Sequence, residues 1–166
     1  MLNQTGNVAA LAKGASADVV SAIKQASAKT NVDFAYLLEN AASESSFNPQ
    51  AQASTSSARG LFQFIESTWL DTVDRHGAAH GLGDAAAAIS RDSKGKMVVE
   101  DPEKRKEILA LRDDPRISAL MAAEFTKDNR ASLEQLLGRE VSKTELHMAH
   151  FLGATGAARL LSAKDE

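Results

Sequence analysis

Residues 33–70 read DFAYLLENAASESSFNPQAQASTSSARGLFQFIESTWL and decide the fold through one helix, one loop and the start of another helix. Asp33 is a favourable N-cap residue, and the apolar side chains after it recur at helical spacing. Asn48-Pro49 disfavours a continued helix, so we predict that the first helix ends before it. Residues 50–60 are rich in small hydroxyl side chains and lack an apolar period, which predicts a loop.

A second helix is predicted after this loop. Residues 61–65 are compatible with a short extended piece, and Ser67 is the predicted N-cap of a helix that ends near Gly77. Upstream, apolar residues at helical spacing from Asp18 onward predict a helix that ends near Thr30-Asn31.

Three local patterns further along the chain predict helix starts. Asp101-Pro102 and Asp114-Pro115 each place a capping side chain before a proline at the first helical position. Ser142 and Glu145 have the spacing of a capping box, in which two side chains bond each other's backbone amides.

Two other stretches have weaker patterns. Residues 84–91 predict a short alanine-rich helix, and residues 94–100 predict either a loop or a small hairpin. Near the C-terminus, Gly153 and Gly156 are predicted to interrupt the helix before a last short helix over residues 157–161.

Together these elements predict a mainly α protein with a single domain over residues 17–166 and at most a very small β element. Residues 1–16 are small and polar with weak periodicity, so we expect a flexible N-terminal arm. A chain of 166 residues is long enough to close one core and too short for two of ordinary size.

Composition and charge exclude several functions. The net charge is -3 with acidic and basic residues interspersed, which leaves no cationic stripe for nucleic acid. No apolar run approaches the ~20 residues that cross a bilayer, so we expect no membrane span. Cysteine is absent, which excludes disulfides and thiolate chemistry. His76, His80 and His147 lack the spacing of a metal-binding pair, so we expect neither a metal nor another cofactor.

Glu44 stands out because the helix that carries it is otherwise small and apolar. Backbone carbonyls at a helix C-terminus and apolar neighbours both disfavour a charged carboxylate, and such an environment suits a general acid. The alternative is an exposed glutamate at a helix end without a function. The neighbouring residues alone do not decide between this interpretation and a general acid.

A longer pattern surrounds this glutamate. The following residues together resemble the active-site signature of the soluble lytic transglycosylases, a family of the lysozyme-like superfamily: Glu44-Ser45-Ser46-Phe47-Asn48-Pro49, Ala53-Ser54, Gly60-Leu61-Phe62-Gln63-Phe64 and Thr68-Trp69. The resemblance implies a lysozyme-like fold. It also implies that Glu44 is the catalytic acid and base and that Gln63 lines a groove for the glycan.

Further substrate-binding residues are expected within this signature. Ser54 offers a hydroxyl to sugar groups, and Phe62 offers an apolar face to a sugar ring. We expect one of the three aromatic residues Phe62, Phe64 and Trp69 to meet substrate and the others to lie in the core.

Residues 146–157 resemble, in part, the Ala-Tyr-Asn-Ala-Gly element of the same family. His150 falls on the tyrosine that in the family hydrogen-bonds the catalytic glutamate, and Phe151 falls on the asparagine. We therefore expect both to bind substrate, with His150 close enough to Glu44 to hold or exchange its proton. A core histidine bonded to the backbone is the alternative for His150.

The resemblance implies cleavage of the β-1,4 bond between N-acetylmuramic acid and N-acetylglucosamine in peptidoglycan, without water and with 1,6-anhydromuramyl products. Ordinary glycosidases use two carboxylates, whereas Glu66, Asp71 and Asp74 are predicted on a solvated helix face. A hydrolytic muramidase with the same catalytic glutamate is one alternative. A non-catalytic glycan-binding module of an envelope or phage assembly is another.

The expected partners are peptidoglycan glycan strands, and no motif identifies a further partner within an envelope machine. This substrate implies the periplasm or cell envelope. The start of the chain lacks the positive cluster and apolar core of a secretory signal, so we expect that a signal has been trimmed or that export uses another route.

Overall fold

The computed structural model describes the backbone of residues 4–164 and the side chains of residues 8–163. Within that range the chain forms eight α-helices and one two-stranded sheet, so the predicted mainly α fold with a very small β element is confirmed. The helices are α1 (Gln4–Leu11), α2 (Ala17–Thr30), α3 (Phe34–Ser45), α4 (Glu66–His76), α5 (Gly83–Ala87), α6 (Pro102–Ala110), α7 (Pro115–Leu137) and α8 (Lys143–Lys164).

The first two helices precede the stretch that carries the signature. Helix α1 forms where the sequence has weak periodicity, and it contacts α3. Helix α2 begins after Ser16, whose hydroxyl accepts a hydrogen bond from the Val19 amide at 3.2 Å. It ends at Thr30, and Asn31 then adopts the left-handed conformation with φ 63°, so the predicted end is confirmed.

The starts of α3 and α4 are capped in different ways. The Asp33 carboxylate accepts a hydrogen bond from the Tyr36 amide at 3.3 Å, which confirms the predicted cap of α3. Ser67 as the cap of α4 is wrong, because α4 already begins at Glu66. The Glu66 amide instead donates to the hydroxyl of Ser57 at 3.1 Å, so the loop before α4 supplies its cap.

The region after α4 contains the only sheet within the described residues. Strands β1 (Ser90–Arg91) and β2 (Met97–Val98) pair antiparallel, which confirms the small hairpin among the predicted alternatives. Gly95 makes the turn with φ 81°. The helix predicted over residues 84–91 is too long, because Ser90 and Arg91 join this hairpin instead.

The described residues divide into two compact units that meet in sequence between Ala123 and Glu124, inside α7. In the first unit the largest fully buried side chains include Ile23, Leu37, Leu38, Trp69 and Ile108. In the second unit the buried cluster is made of Leu133, Val141, Ala149, Ala157, Ala158 and Leu161.

The predicted helix starts at Asp101 and Asp114 are both confirmed. Asp101 accepts a hydrogen bond from the Glu103 amide at 3.0 Å, with Pro102 in the first turn of α6. Asp114 accepts one from the Ile117 amide at 3.1 Å at the start of α7. None of the helices within residues 4–164 is both long and apolar enough to cross a bilayer.

The capping box at the start of α8 is also confirmed. Glu145 accepts from the Ser142 amide at 2.9 Å, while the Ser142 hydroxyl accepts from the Glu145 amide at 3.2 Å. The predicted interruption at Gly153 is present, with φ 74° and ψ 161°, a region that essentially only glycine occupies. The interruption predicted at Gly156 is wrong, because the chain returns to helical geometry directly after Gly153.

Candidate functional site

Glu44 lies at the C-terminal end of α3, one residue before the helix ends, and is half-buried. The amides of Ser46 and Phe47 turn back onto the carbonyl oxygens of Ala42 and Ala41, at 3.0 and 3.3 Å. Ser46 and Phe47 both have positive φ, 52° and 65°, so the chain reverses sharply within two residues. The glutamate therefore sits where helix and loop meet.

Ser45, next to Glu44, bonds the helix end to the loop that follows. Its hydroxyl lies 3.0 Å from the Ala41 carbonyl oxygen and 2.7 Å from the Leu61 carbonyl oxygen. The contact with Leu61 joins residues sixteen positions apart. The second part of the signature is thus attached directly beside the glutamate.

Gln63 takes part in the turn that contains Leu61. Its backbone has φ 53°, and its side-chain nitrogen donates to the carbonyl oxygens of Gly60 at 2.9 Å and of Ala51 at 3.1 Å. Both amide hydrogens are therefore used to hold the loop. The side-chain oxygen of Gln63, which is an acceptor, is then the atom of this side chain that could bond a sugar.

Gly60 permits a close approach between this turn and another part of the chain. Its φ is 88°, a conformation that a side chain disfavours. A Cβ atom at this position would overlap the backbone carbonyl oxygen of Arg112. The glycine of the signature is thus required for packing as well as for the turn.

The three aromatic residues of the signature are all buried. Phe62 is 4% exposed, Phe64 5% and Trp69 0%. Phe64 and Trp69 pack edge to face with centroids 5.0 Å apart, and the indole nitrogen of Trp69 donates to the Ile108 carbonyl oxygen at 2.8 Å. These rings stabilise the core under the loop and expose little surface, so the assignment of Phe62 to substrate remains a prediction.

Two serines of the hydroxyl-rich loop accept hydrogen bonds from backbone amides. Ser56 accepts a hydrogen bond from the Ala58 amide at 3.2 Å, and Ser57 caps α4 as described above. Ser54 is exposed, next to the contact between the Ala53 amide and the Ala58 carbonyl oxygen at 3.0 Å. Its assignment to substrate likewise stays a prediction.

Residues 108–113 support the loop, although no sequence pattern indicates this role. Arg112 is 5% exposed, and its guanidinium donates to the carbonyl oxygens of Ser57 at 2.7 Å and Phe64 at 3.0 Å. Burial lowers the pKa of Arg112, and the negative charge of Glu66 opposes that shift. The partners lie about fifty positions apart in sequence, beyond the reach of any local pattern.

Arg59 and Asp113 reinforce the same loop. The guanidinium of Arg59 donates to both carboxylate oxygens of Asp113, each at 2.7 Å. The hydrogen bond to Asp113 is the main cause that raises the pKa of Arg59. Such a bidentate pair fixes orientation as well as distance.

Two of the three acidic residues on α4 form ion pairs. Glu66 bonds Arg105 at 2.9 Å, and Asp71 bonds Arg91 at 2.7 Å. Among the side chains of residues 8–163, no three histidines, aspartates or glutamates cluster in a way that could hold a metal ion.

His150 and Phe151 lie in α8, in the second unit. His150 is half-buried, and its ring packs edge-on to Phe125 with a centroid distance of 6.0 Å and to Phe151 with one of 5.2 Å. Phe151 itself is 69% exposed. The expected roles of both residues toward substrate and toward Glu44 stay predictions.

The chain is mainly helical, with a glutamate at a helix end and a turn bonded beside it. Residues 21–89 match the family model described as the transglycosylase SLT domain, so this part of the chain is similar to that family. The matched range includes Glu44, Ser54, Phe62 and Gln63. It ends before the β hairpin, and both residues 108–113 and α8 lie outside it.

Proposed function

We propose that this protein cleaves the β-1,4 bond between N-acetylmuramic acid and N-acetylglucosamine in peptidoglycan, with Glu44 as the catalytic carboxyl group. One observation carries the proposal. Glu44 lies inside the range that matches the transglycosylase SLT family, and its neighbour Ser45 bonds Leu61 in the turn that contains Gln63. The acid and a polar groove residue are therefore held on adjoining backbone.

In this mechanism Glu44 first donates its proton to the glycosidic oxygen, and the bond to the muramyl C1 breaks. The N-acetyl group of the substrate stabilises the positive charge that develops at that carbon. Glu44, now a carboxylate, then takes the proton of the muramyl 6-hydroxyl as that oxygen attacks C1. The products are a 1,6-anhydromuramyl end and a free N-acetylglucosamine end, and no water enters.

The pairing of other acids supports a route that uses one carboxyl group. A hydrolytic glycosidase with two carboxylates needs a second one available as a base or nucleophile. Glu66, Asp71 and Asp113 each form an ion pair with an arginine at 2.9 Å or less. These acids serve to hold the structure together.

Around the acid, Gln63 would accept a hydrogen bond from a sugar hydroxyl or N-acetyl amide through its side-chain oxygen, and Ser54 would bond a sugar hydroxyl. Phe62 is assigned an apolar contact. His150 and Phe151 are assigned to glycan binding by their place in the partial match over residues 146–157. The substrate places the activity in the periplasm or cell envelope.

The test is the substitution Glu44→Gln, which removes the transferable proton and keeps the shape. A general acid contributes about 10²–10⁴ to a rate, so we expect release of soluble fragments from purified sacculi to fall at least a hundredfold. Glu39→Gln is the matched control, because Glu39 is a half-buried glutamate on the same helix. Its activity should stay near that of the wild type, and both variants should keep the melting temperature.

Mass spectrometry of the products separates the alternatives. The anhydro product is lighter by one water than the reducing product of a muramidase. Reducing ends would assign the same glutamate to hydrolysis, and binding to sacculi without release of fragments would indicate a non-catalytic module. Persistent cleavage by Glu44→Gln would overturn the central assignment.

A further inference from the structure

A short segment outside the family match contacts the loop of the candidate site and the helix α4 that follows it. The carbonyl oxygen of Ile108 accepts from Trp69, Arg112 binds the carbonyl oxygens of Ser57 and Phe64, and Asp113 binds Arg59. We name residues 108–113 the brace and residues 57–64 the site loop.

Arg112 is the centre of the brace. Its guanidinium reaches both ends of the site loop, and its own backbone carbonyl lies against Gly60 in the middle of that loop. A third bond, from its Nε to the carbonyl oxygen of Leu109 at 2.9 Å, fixes the side chain on its own segment. The charged group is thus held by three backbone acceptors in a buried position.

The site loop requires such support because its backbone departs from common conformations. Gln63 has positive φ without being a glycine, and such a residue keeps that geometry only when its surroundings impose it. The Phe64 carbonyl oxygen accepts from both the Arg59 amide at 3.1 Å and Arg112 at 3.0 Å. Without Arg112, the carbonyl group of Ser57 and the buried carbonyl group of Phe64 would each lose a charged donor, and the loop could relax.

We infer that Arg112 is a positioning residue of the candidate site, which holds the site loop so that Gln63 stays fixed beside Glu44. The link to the acid runs from Arg112 through the site loop to Leu61, whose carbonyl oxygen bonds Ser45. This inference rests on the proposed function. Arg112 contacts no substrate in this role, so its effect on the reaction passes entirely through the loop.

Chemical rescue of Arg112→Ala tests this role. Truncation leaves a cavity that a guanidinium ion fits, and misplacement of about 1 Å in a site can cost about a hundredfold in rate. We expect kcat/KM for sacculus cleavage to fall about a hundredfold, with Tm monitored to confirm that the variant is folded. Guanidinium at low millimolar concentration should restore activity at least tenfold, whereas urea should not.

Two control variants separate positioning from general stability. Arg105→Ala removes a guanidinium that pairs with Glu66 on α4, outside the site loop, and should keep kcat/KM within about twofold. Arg112→Lys keeps the charge but loses the fork of donors, so it should show an intermediate loss. If Arg112→Ala does not fold, Arg112→Lys replaces it as the test variant. Wild-type activity in Arg112→Lys would then overturn the inference.

Two measurements stay informative if the chain does not cleave sacculi, an outcome that refutes the proposed function. Hydrogen exchange should show faster exchange of the site-loop amides in Arg112→Ala, with protection restored by guanidinium. Binding of a soluble N-acetylglucosamine tetramer, titrated by NMR, should weaken about tenfold and recover in the same way. Unchanged exchange, or restored loop protection without restored binding or cleavage, would overturn the positioning role.

Discussion

The site loop and the start of α8 are both held by several side-chain hydrogen bonds, but these bonds span very different distances along the chain. At α8, Ser142 and Glu145 bond each other three positions apart, and Arg139 binds Glu145 from six positions away. At the site loop, the decisive bonds join residues 16, 48 and 55 positions apart. The first turn is a local structure, and the second exists only in the folded chain.

The two turns therefore differ in how well the sequence alone can predict them. A local cap depends on the identities of neighbouring residues, so the sequence can indicate it directly. The conformation of the site loop depends on Arg112, which nothing near Gly60 or Gln63 in sequence anticipates. The residues of a catalytic motif can thus be recognised before the groups that hold them in place.

The largest expected effect comes from Gly60→Ala, which tests the contact between loop and brace. The new methyl group would combine a disfavoured φ of 88° with overlap on the Arg112 carbonyl oxygen. Backbone strain costs about 1–3 kcal/mol and overpacking about 1–3 kcal/mol, so we expect the free energy of unfolding to fall by about 3 kcal/mol in urea denaturation.

Gly81→Ala is the matched control for that substitution. Gly81 has φ 82°, and a Cβ there meets nothing within 4 Å, so only the backbone penalty of about 1–2 kcal/mol remains. Equal losses from the two substitutions would mean that the close approach to Arg112 contributes nothing.

Much of the fold could be predicted because its helix starts are local. Asp33, Asp101 and Asp114 each bond an amide two or three positions further on, a spacing that the sequence displays directly. The cap of α4 was predicted wrongly for the opposite reason. Its donor and acceptor, Glu66 and Ser57, lie nine positions apart and meet only after the loop has folded.

The candidate site divides in the same way. Glu44 and Gln63 were singled out by a pattern of residue types over some thirty positions, and both lie in the matched family range. The use of both amide hydrogens of Gln63 by the loop itself could not be foreseen, because it depends on the carbonyl groups of Ala51 and Gly60. Arg112 belongs to no motif, and its role follows only from its burial and its bonds in the folded chain.

Three substitutions of serine by alanine compare a cap from a distant residue with a cap from a neighbouring residue. In both caps a serine hydroxyl accepts a hydrogen bond from a backbone amide. Ser57→Ala and Ser142→Ala each remove a hydroxyl that caps a helix, so each should lower the free energy of unfolding by about 1 kcal/mol. Ser67→Ala, at the exposed residue that the sequence favoured as a cap, should change it by less than about 0.5 kcal/mol. Urea titration measures all three.

Hydrogen exchange shows which part of the chain each serine substitution destabilises. Loss of Ser142 should speed exchange only at the first turn of α8, while loss of Ser57 should speed exchange at both the first turn of α4 and the site loop. If Ser57→Ala speeds exchange only in α4, the site loop keeps its shape without this bond. The difference between the distant cap and the local cap would then be smaller than we expect.

The smallest expected effect concerns pH at the local cap. Arg139, followed by the Ser142 amide, lowers the pKa of the Glu145 carboxyl group from near 4.5 to about 2. Because the folded-state pKa lies below the ordinary value, the bond stabilises the fold above pH 4.5, and that contribution is lost as the pH falls toward 2. The pair lies at the protein surface, so the effect is small and added salt should reduce it. Glu145→Gln should therefore lose less stability than the wild type between pH 4.5 and 2 at low salt, as measured by thermal melting. Identical pH profiles would show that the ion pair adds nothing to the cap.

The site loop should respond differently to pH. The acceptors of Arg112 are backbone carbonyl groups that do not titrate, so protonation of Glu145 at the start of α8 should leave the bonds from Arg112 to the site loop intact.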